Sequence, residues 1–361
     1  TYALRRQLAG TAYAHTASYD AAIAAYFARS SAAGGVSAGE SFPERLELNF
    51  QRLEQLRYGE NPHQQAALYG EAHPAADSLV AARKLHGKEL SYNNLLDLDS
   101  ALAIVKTLPG PAVAVIKHNN PCGAATAERL SDAAHKALEG DPLSAFGSVL
   151  AFNRLVDRAT AELLCEPGRF VEAIVAPGFE ADAFELLTTR PKWKVNVRLL
   201  EVGLLEAAGT RHDYRTVSGG LLVQTADNVA DDPSQWQVVT SRHPSESQWR
   251  DLRFAWELAK FVKSNAIVLA QGEALCGVGA GQMSRVDSVQ IAIQKAGDRA
   301  RGSALGSDAF FPFADGVRLA AGAGVAAIIQ PGGSRNDDEV VRACNELGLS
   351  MVFTGRRHFK H

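Results

Sequence analysis

Five consecutive apolar residues, Ala112 to Ile116, run into Lys117-His118-Asn119-Asn120-Pro121-Cys122-Gly123. A short unbroken apolar run bounded by turn residues predicts a buried strand, and the Pro and Gly predict that the chain turns as the strand ends. The same pattern predicts strands over Ser148–Phe152, Phe170–Ala176, Leu199–Val202, Gly219–Gln224, Ala266–Ala270, Val325–Gln330 and Ser350–Phe353. Helical spacing lies between them. Leu95, Leu98, Ala101, Leu102, Val105 and Leu108 mark one stripe, and Leu252, Ala255, Trp256, Ala259 and Val262 another. Ser245 with Gln248 forms a capping box ahead of the second stripe. Further helices are expected over Leu130–Leu138, Val286–Ala296 and Asp337–Leu347.

The first 29 residues read as helix, with Leu4, Leu8, Ala12, Ile23 and Tyr26 on a stripe. Ser30 to Gly39 is small and Gly-rich, which predicts a linker. Leu46, Leu48 and Phe50 alternate with polar residues, a strand signal. Leu275 to Arg285 reads as a Gly-rich bend, and Ser307 to Asp315 as an aromatic loop. Strand, polar turn, helix and strand recur in both halves, a second unit beginning near Val238. The alternation predicts α/β layers and is compatible with a duplicated unit.

Composition narrows the function. At 361 residues the chain exceeds one ordinary core, so two domains are expected. It is 46% hydrophobic and 21% charged, with net charge −3, which argues against nucleic acid as a partner held by phosphate neutralisation. No apolar run reaches the ~20 residues of a membrane span. Cys122, Cys165, Cys276 and Cys344 are scattered without a CxxC, which excludes a zinc ribbon and points to a reducing, cytoplasmic setting. There is no signal-peptide pattern and no initiator Met, and the opening residues read as mid-helix; a fragment of a longer chain is expected.

Candidate chemistry gathers at strand ends, where open α/β sheets present it. Lys117 and His118 offer a cation and a proton acceptor to one small molecule, or are two polar residues at a solvated turn. Arg57-Tyr58, in the turn-rich Leu56–Gln65, suits an anion with an adjacent ring contact, or is a surface charge. Asn93-Asn94 caps a helix or touches a ligand. Glu172, a lone acid in an apolar strand, faces a site or solvent. Gly277-Val278-Gly279-Ala280-Gly281-Gln282 departs from a dinucleotide fingerprint at Gln282, and no acid ends a strand downstream; its glycines instead predict close backbone approach to a ligand or another strand. Pro121-Cys122 is half of a nucleobase-deaminase zinc signature, but Ala125 stands where the second Cys belongs and no HxE precedes it, so zinc is not expected.

Five motifs occur in order: Arg57-Tyr58-Gly59-Glu60-Asn61-Pro62-His63-Gln64, the Lys117 to Gly123 stretch, Ser144-Ala145-Phe146-Gly147, Gly279 to Arg285, and Ser307 to Phe313. Together they resemble the bifunctional purine biosynthesis family that joins AICAR formyltransferase to IMP cyclohydrolase. The resemblance runs from about Arg57 to His361. It implies that residues 1–40 are the end of a cyclohydrolase domain and its linker, and that a longer parent would also cyclise FAICAR to IMP. It implies that 41–235 and 236–361 are two zinc-free cytidine deaminase-like α/β/α units, and that an intertwined homodimer shares each active site. The implied reaction moves formyl from 10-formyltetrahydrofolate to the 5-amino group of AICAR. By resemblance Lys117, His118 and Asn265 are catalytic, with His118 as base. Arg57, Tyr58 and Arg357 hold the nucleotide phosphate. Gly147, Glu172, Arg285, Phe310 and His361 make other AICAR contacts. Pro312, Phe313 and Asp315 lie where folate is expected, and Asp308 with neighbouring main chain helps form a potassium site. Glu172 stands where the family can have Asp, and Lys360 where some relatives have His. Two other readings remain: a zinc nucleobase deaminase, which metal analysis decides, and a nucleotide-binding or dimerisation module that binds AICAR without turnover.

Overall fold

The computed structural model describes residues 1–32, 42–206 and 211–361. Thr1–Phe50 and Gln51–His361 form two compact units. In the first, one helix, α1 (Tyr2–Ala32), extends past the expected start of the linker at Ser30, and the rest of that linker lies outside the described residues. The strand expected from Leu46, Leu48 and Phe50 is absent; these side chains are exposed, and no neighbouring strand offers that segment a hydrogen-bonding ladder. Strand structure begins instead at β1 (Gln51–Leu56), which pairs with β2 (Ala66–Gly70).

The rest of the second unit runs β3 (Arg83–His86), α2 (Tyr92–Thr107), β4 (Ala112–Lys117), β5 (Asn120–Thr126), α3 (Leu130–Leu138), α4 (Pro142–Ala145), β6 (Ser148–Phe152), α5 (Arg158–Leu164), β7 (Val171–Ala176), α6 (Ala181–Thr189) and β8 (Arg198–Glu201). A hairpin of β9 (His212–Val217) and β10 (Gly220–Thr225) follows. Then come β11 (Gln237–Val238), α7 (Glu246–Ala259), β12 (Ile267–Ala270), β13 (Leu275–Gly279), α8 (Arg285–Ala296), β14 (Ala304–Ser307), α9 (Asp315–Gly322), β15 (Ala327–Gln330), α10 (Asp337–Leu347) and β16 (Ser350–Phe353). The α/β class is as expected.

There are two mixed six-stranded sheets, ordered β3-β8-β7-β6-β4-β5 and β11-β16-β15-β14-β12-β13. In the first, β6, β7 and β8 are parallel, β4 is antiparallel to β5 and β6, and β3 is antiparallel to β8. The second repeats every one of these directions. The central strands are buried on both faces, which is why they read as continuous apolar runs. Leu98, Leu102 and Val105 of α2 share one core with Phe254, Ala255 and Leu258 of α7, whereas α3, α5 and α6 cover the other face of the first sheet.

The Gly-rich stretch from Leu275 is strand β13 for its first five residues, not a bend. A Cβ on Gly277 would fall well inside contact distance of the Ala292 carbonyl, and one on Gly279 of the Ser288 carbonyl. These glycines therefore admit α8 against the strand. Gly123 does the same for α3 in edge strand β5, meeting the Ala137 carbonyl. Pro121 is tolerated in β5 because that strand is the edge of its sheet, its other side bridged only at Ala125, to Ala274. Among the described residues no helix is long and apolar enough to cross a membrane.

Candidate active site

Only His118 and Asn119 separate the paired residues Lys117 and Asn120 of β4 and β5. Both have positive φ, 50° and 61°. This is the arrangement of a two-residue type I′ hairpin, whose twist suits antiparallel strands. Without Gly it costs on the order of 1 kcal/mol per residue, so the turn needs outside support. It receives it from α2: Asp97 Oδ1 accepts the Asn119 N–H at 2.7 Å, and the Ser100 hydroxyl donates to the Asn119 side-chain oxygen. His118 is thereby presented at the surface beside half-buried Lys117.

The Lys117 ammonium donates to the carbonyls of Phe146 (2.8 Å) and Gly147 (3.0 Å). It has three donors, so one remains for a ligand. Gly147 has φ 70°, and its Cβ position lies 3.4 Å from Lys117 Nζ and 3.1 Å from the Phe170 ring. Only glycine suits that place. Its N–H donates to the Phe170 carbonyl at 2.7 Å, tying the Lys117 end to the next strand.

Phe170 lines a cavity of about 180 Å³ with Arg57, Lys88, Val171, Glu172, Asn196 and Arg198. Glu172 thus faces a cavity, and its counterion comes from β8: Arg198 Nη1 lies 2.5 Å from Glu172 Oε2. Arg57 sits 5.2 Å from the centre of the Tyr58 ring. The lining is rich in cations. Lys88, Asn196 and Arg198 were not expected from sequence; an Arg at a strand start carries no signal until its cross-strand partner is known. Asn94 completes a capping box with Ser91, and Asn93 reaches the Glu60 carbonyl at 3.3 Å, so this pair is structural.

From the second sheet the segment Lys263–Asn265 approaches the hairpin, with the Lys263 N–H 3.4 Å from Asn120 Oδ1. Asn265 Nδ2 donates to the Gln282 carbonyl (2.8 Å), and its Oδ1 accepts from Arg285 Nη2 (2.8 Å). Arg285 Nη1 donates to Asp308 Oδ1 (2.6 Å) and Ser307 Oγ (2.7 Å). Arg285 is only 7% exposed. Its guanidinium orients Asn265. Asp308 is fully buried, neutralised by Arg285, and also accepts from Ser264 Oγ and the Ala266 N–H. A carboxylate so engaged does not fit as the ligand of a monovalent cation, and no step below passes through one.

The C-terminal tail is knitted to the same segment: Ser264 N–H donates to the Lys360 carbonyl (2.9 Å) and His358 N–H to the Asp308 carbonyl (2.9 Å). The His358 ring is buried between Asp227 (2.5 Å) and Asp231 (3.1 Å). Burial alone would lower its basicity, but the two carboxylates outweigh it and its pKa is raised. Asp231 is held well below the carboxylate range by His358, Lys260 and the Trp256 N–H despite its burial. The flanking Arg357 lies exposed over the Phe359 ring at 4.6 Å, and His361 stacks edge-on against that ring. Among the described residues no hydrogen bond, ion pair or ring contact joins this tail to Arg57 or Tyr58. Phe310 and Phe313 project from the loop after β14, and Asp315 is exposed at the start of α9.

The Lys117–His118 hairpin, the Asn265–Arg285–Asp308 network and the cavity between Arg57 and Arg198 thus carry the candidate side chains. A family model described as the AICARFT/IMPCHase bienzyme matches residues 1–295. Relatives called bifunctional purine biosynthesis protein PurH are 59% identical over 358 residues in Rhodopirellula baltica and 50% over 362 residues in Synechococcus elongatus. One from Bacillus cereus is 48% identical over 357 residues. Each alignment covers 99% of this chain and 67% of the relative. By the extent of the model match and by these identities, the chain belongs to the AICARFT/IMPCHase bienzyme family.

Proposed function

We propose that this chain catalyses AICAR formyl transfer in purine biosynthesis: formyl passes from 10-formyltetrahydrofolate to the 5-amino group of AICAR, giving FAICAR and tetrahydrofolate. In a longer parent carrying the cyclohydrolase domain, FAICAR then closes to IMP. The observation that carries the reading is the His118 hairpin, held against Gly147 on one side and the Asn265 segment on the other, in a chain of this family.

The AICAR amine is a weak nucleophile because ring and carboxamide delocalise its lone pair. It attacks the formyl carbon while the His118 imidazole takes the amine proton. A carbon–nitrogen bond forms and the carbonyl becomes an oxyanion. The free Lys117 donor stabilises that charge, and we assign the second N–H of Asn265 to the same oxygen. The bond from formyl carbon to the folate nitrogen then breaks, and His118 returns its proton to the leaving nitrogen. Arg57 and Tyr58 hold the phosphate, with Lys88 and Arg198 adding charge to that cavity. Pro312, Phe313 and Asp315 form the folate side, the exposed Phe313 ring offering the pterin a flat surface, and Phe310 contacts AICAR.

We assign each site to a homodimer, with Arg357 and His361 acting across the interface. The β9–β10 hairpin supports this: Tyr214, Val217 and Leu222 are 43%, 45% and 59% exposed on a two-stranded sheet that is marginal alone. The repeated strand order and directions support two duplicated cytidine deaminase-like halves, divided near residue 235. Four buried free thiols suit a cytoplasmic setting.

The test is tetrahydrofolate release from AICAR and 10-formyltetrahydrofolate over a range of protein concentrations. Turnover is expected, with specific activity rising as the dimer forms. AICAR binding without turnover at any concentration overturns the reading.

A further inference from the structure

The His118 turn holds two non-glycine residues at positive φ, and the one side chain anchored on both its backbone and its position in the fold is Asp97. Asp97 lies in the second turn of α2, whose start is fixed by the Ser91–Asn94 capping box and whose inner face, from Leu98 to Val105, is buried in the core shared with α7. The helix is therefore a rigid platform. From it Asp97 Oδ1 takes the Asn119 N–H at 2.7 Å. Ser100, three residues on and on the same face, takes the Asn119 side chain.

We propose that Asp97 is a positioning residue for the formyl-transfer reaction: by holding the main chain of Asn119 it fixes the left-handed turn that presents the His118 imidazole beside Lys117. The inference rests on the proposed function for its kinetic readout only. Asp97 touches no substrate in this scheme. Its pKa is raised by burial, with the Asn119 N–H and the nearby charges of His118 and Lys117 opposing the rise, as fits a carboxylate placed for an amide donor. Without it the turn would relax toward conformations that non-glycine residues prefer, and the imidazole would move by a distance comparable with a bond length. Displacement of that size near reacting atoms costs on the order of a hundredfold in rate.

The experiment compares wild type, Asp97→Ala and Asp97→Asn in formyl transfer, with hydrogen exchange at the Asn119 amide measured on the same proteins. The Asn variant keeps one acceptor for Asn119 and loses the charge. Asp97→Ala should lower kcat by about ten- to a hundredfold with KM for AICAR within about twofold, and should speed Asn119 exchange. Asp97→Asn should recover most of kcat and of the protection. Unchanged kcat in Asp97→Ala, a loss confined to KM, or an Asn variant as slow as the Ala variant overturns the proposal. If Asp97→Ala does not fold, Asp97→Asn decides: a kcat near wild type with Asn119 protected supports it, and a kcat as low as that of His118→Ala overturns it. If wild type itself fails to turn over, the proposed function falls, and Asn119 exchange still decides the role of Asp97: equal exchange in wild type and Asp97→Ala ends it.

Discussion

Arg285 holds Asn265 by a single hydrogen bond, Nη2 to Oδ1 at 2.8 Å, while its other terminal nitrogen is committed to Asp308 at 2.6 Å. One buried guanidinium thus links the Asn265 amide to the buried Asp308 carboxylate. The link makes Asn265 a fixed group, since its Nδ2 is held separately by the Gln282 carbonyl.

Removing that guanidinium leaves Asp308 buried without a counterion. Arg285→Met should cost about 3–5 kcal/mol of stability, the range for breaking a buried pair, measured by urea denaturation. Arg285→Lys should recover part of the stability and little of kcat, because one ammonium cannot span Asn265, Ser307 and Asp308 in the geometry of the planar fork. Full recovery of kcat by Lys would mean that Asn265 needs no orientation.

His118→Ala should lower kcat by about two to four orders of magnitude, the usual worth of a positioned base, with AICAR binding by calorimetry still measurable. An active variant would remove the base assignment. Lys117→Ala should slow the chemical step more than it weakens AICAR affinity; a loss of affinity alone would assign Lys117 to binding.

Gly279→Ala places a methyl against the Ser288 carbonyl and should destabilise by about 1–3 kcal/mol or more. Gly322→Ala is the control: nothing lies within 4 Å of its Cβ position at the end of α9, so it should be neutral or stabilise by about 0.4–1 kcal/mol. Thermal melts of both variants check the pair. Equal melts would mean that α8 does not pack on β13 as described.

The clamp of His358 between Asp227 and Asp231 gives stability a pH dependence. The folded-state pKa of His358 is raised above its ordinary 6.5. The clamp therefore contributes fully below about 6.5 and is lost as pH rises through the higher folded value. Asp231, lowered in the folded state, contributes above its ordinary 3.8 and loses that contribution as pH falls below it. Urea midpoints from pH 5 to 9 should converge for wild type and His358→Gln as pH rises. Parallel curves would mean that the ring is not charged in the folded protein.

Elements whose burial is uniform along the chain were legible from local pattern alone. Strands β4, β6 and β16 and helices α3 and α10 occur where the apolar runs and stripes place them, because a strand covered on both faces, or a helix with one apolar stripe, writes its environment into consecutive residues. The capping box at Ser245 was legible for the same reason: its chemistry is local. The ordered motifs singled out Lys117 and His118, which the structure puts at the end of β4 and in the turn after it. What the sequence could not determine depended on partners distant in the chain. Leu46, Leu48 and Phe50 alternate like a strand but find no ladder. Gly277 and Gly279 look like a bend until α8 is laid against them. Nothing in the local sequence shows that the Arg285 guanidinium is shared among Asp308, Ser307 and Asn265. Asp97 carries no signal at all, since its role exists only when α2 packs beside a hairpin some twenty residues away. Local patterns record burial; the pairing of one polar group with another across the fold is decided by tertiary structure, because hydrogen bonds depend on distance and direction that no spacing in the chain encodes.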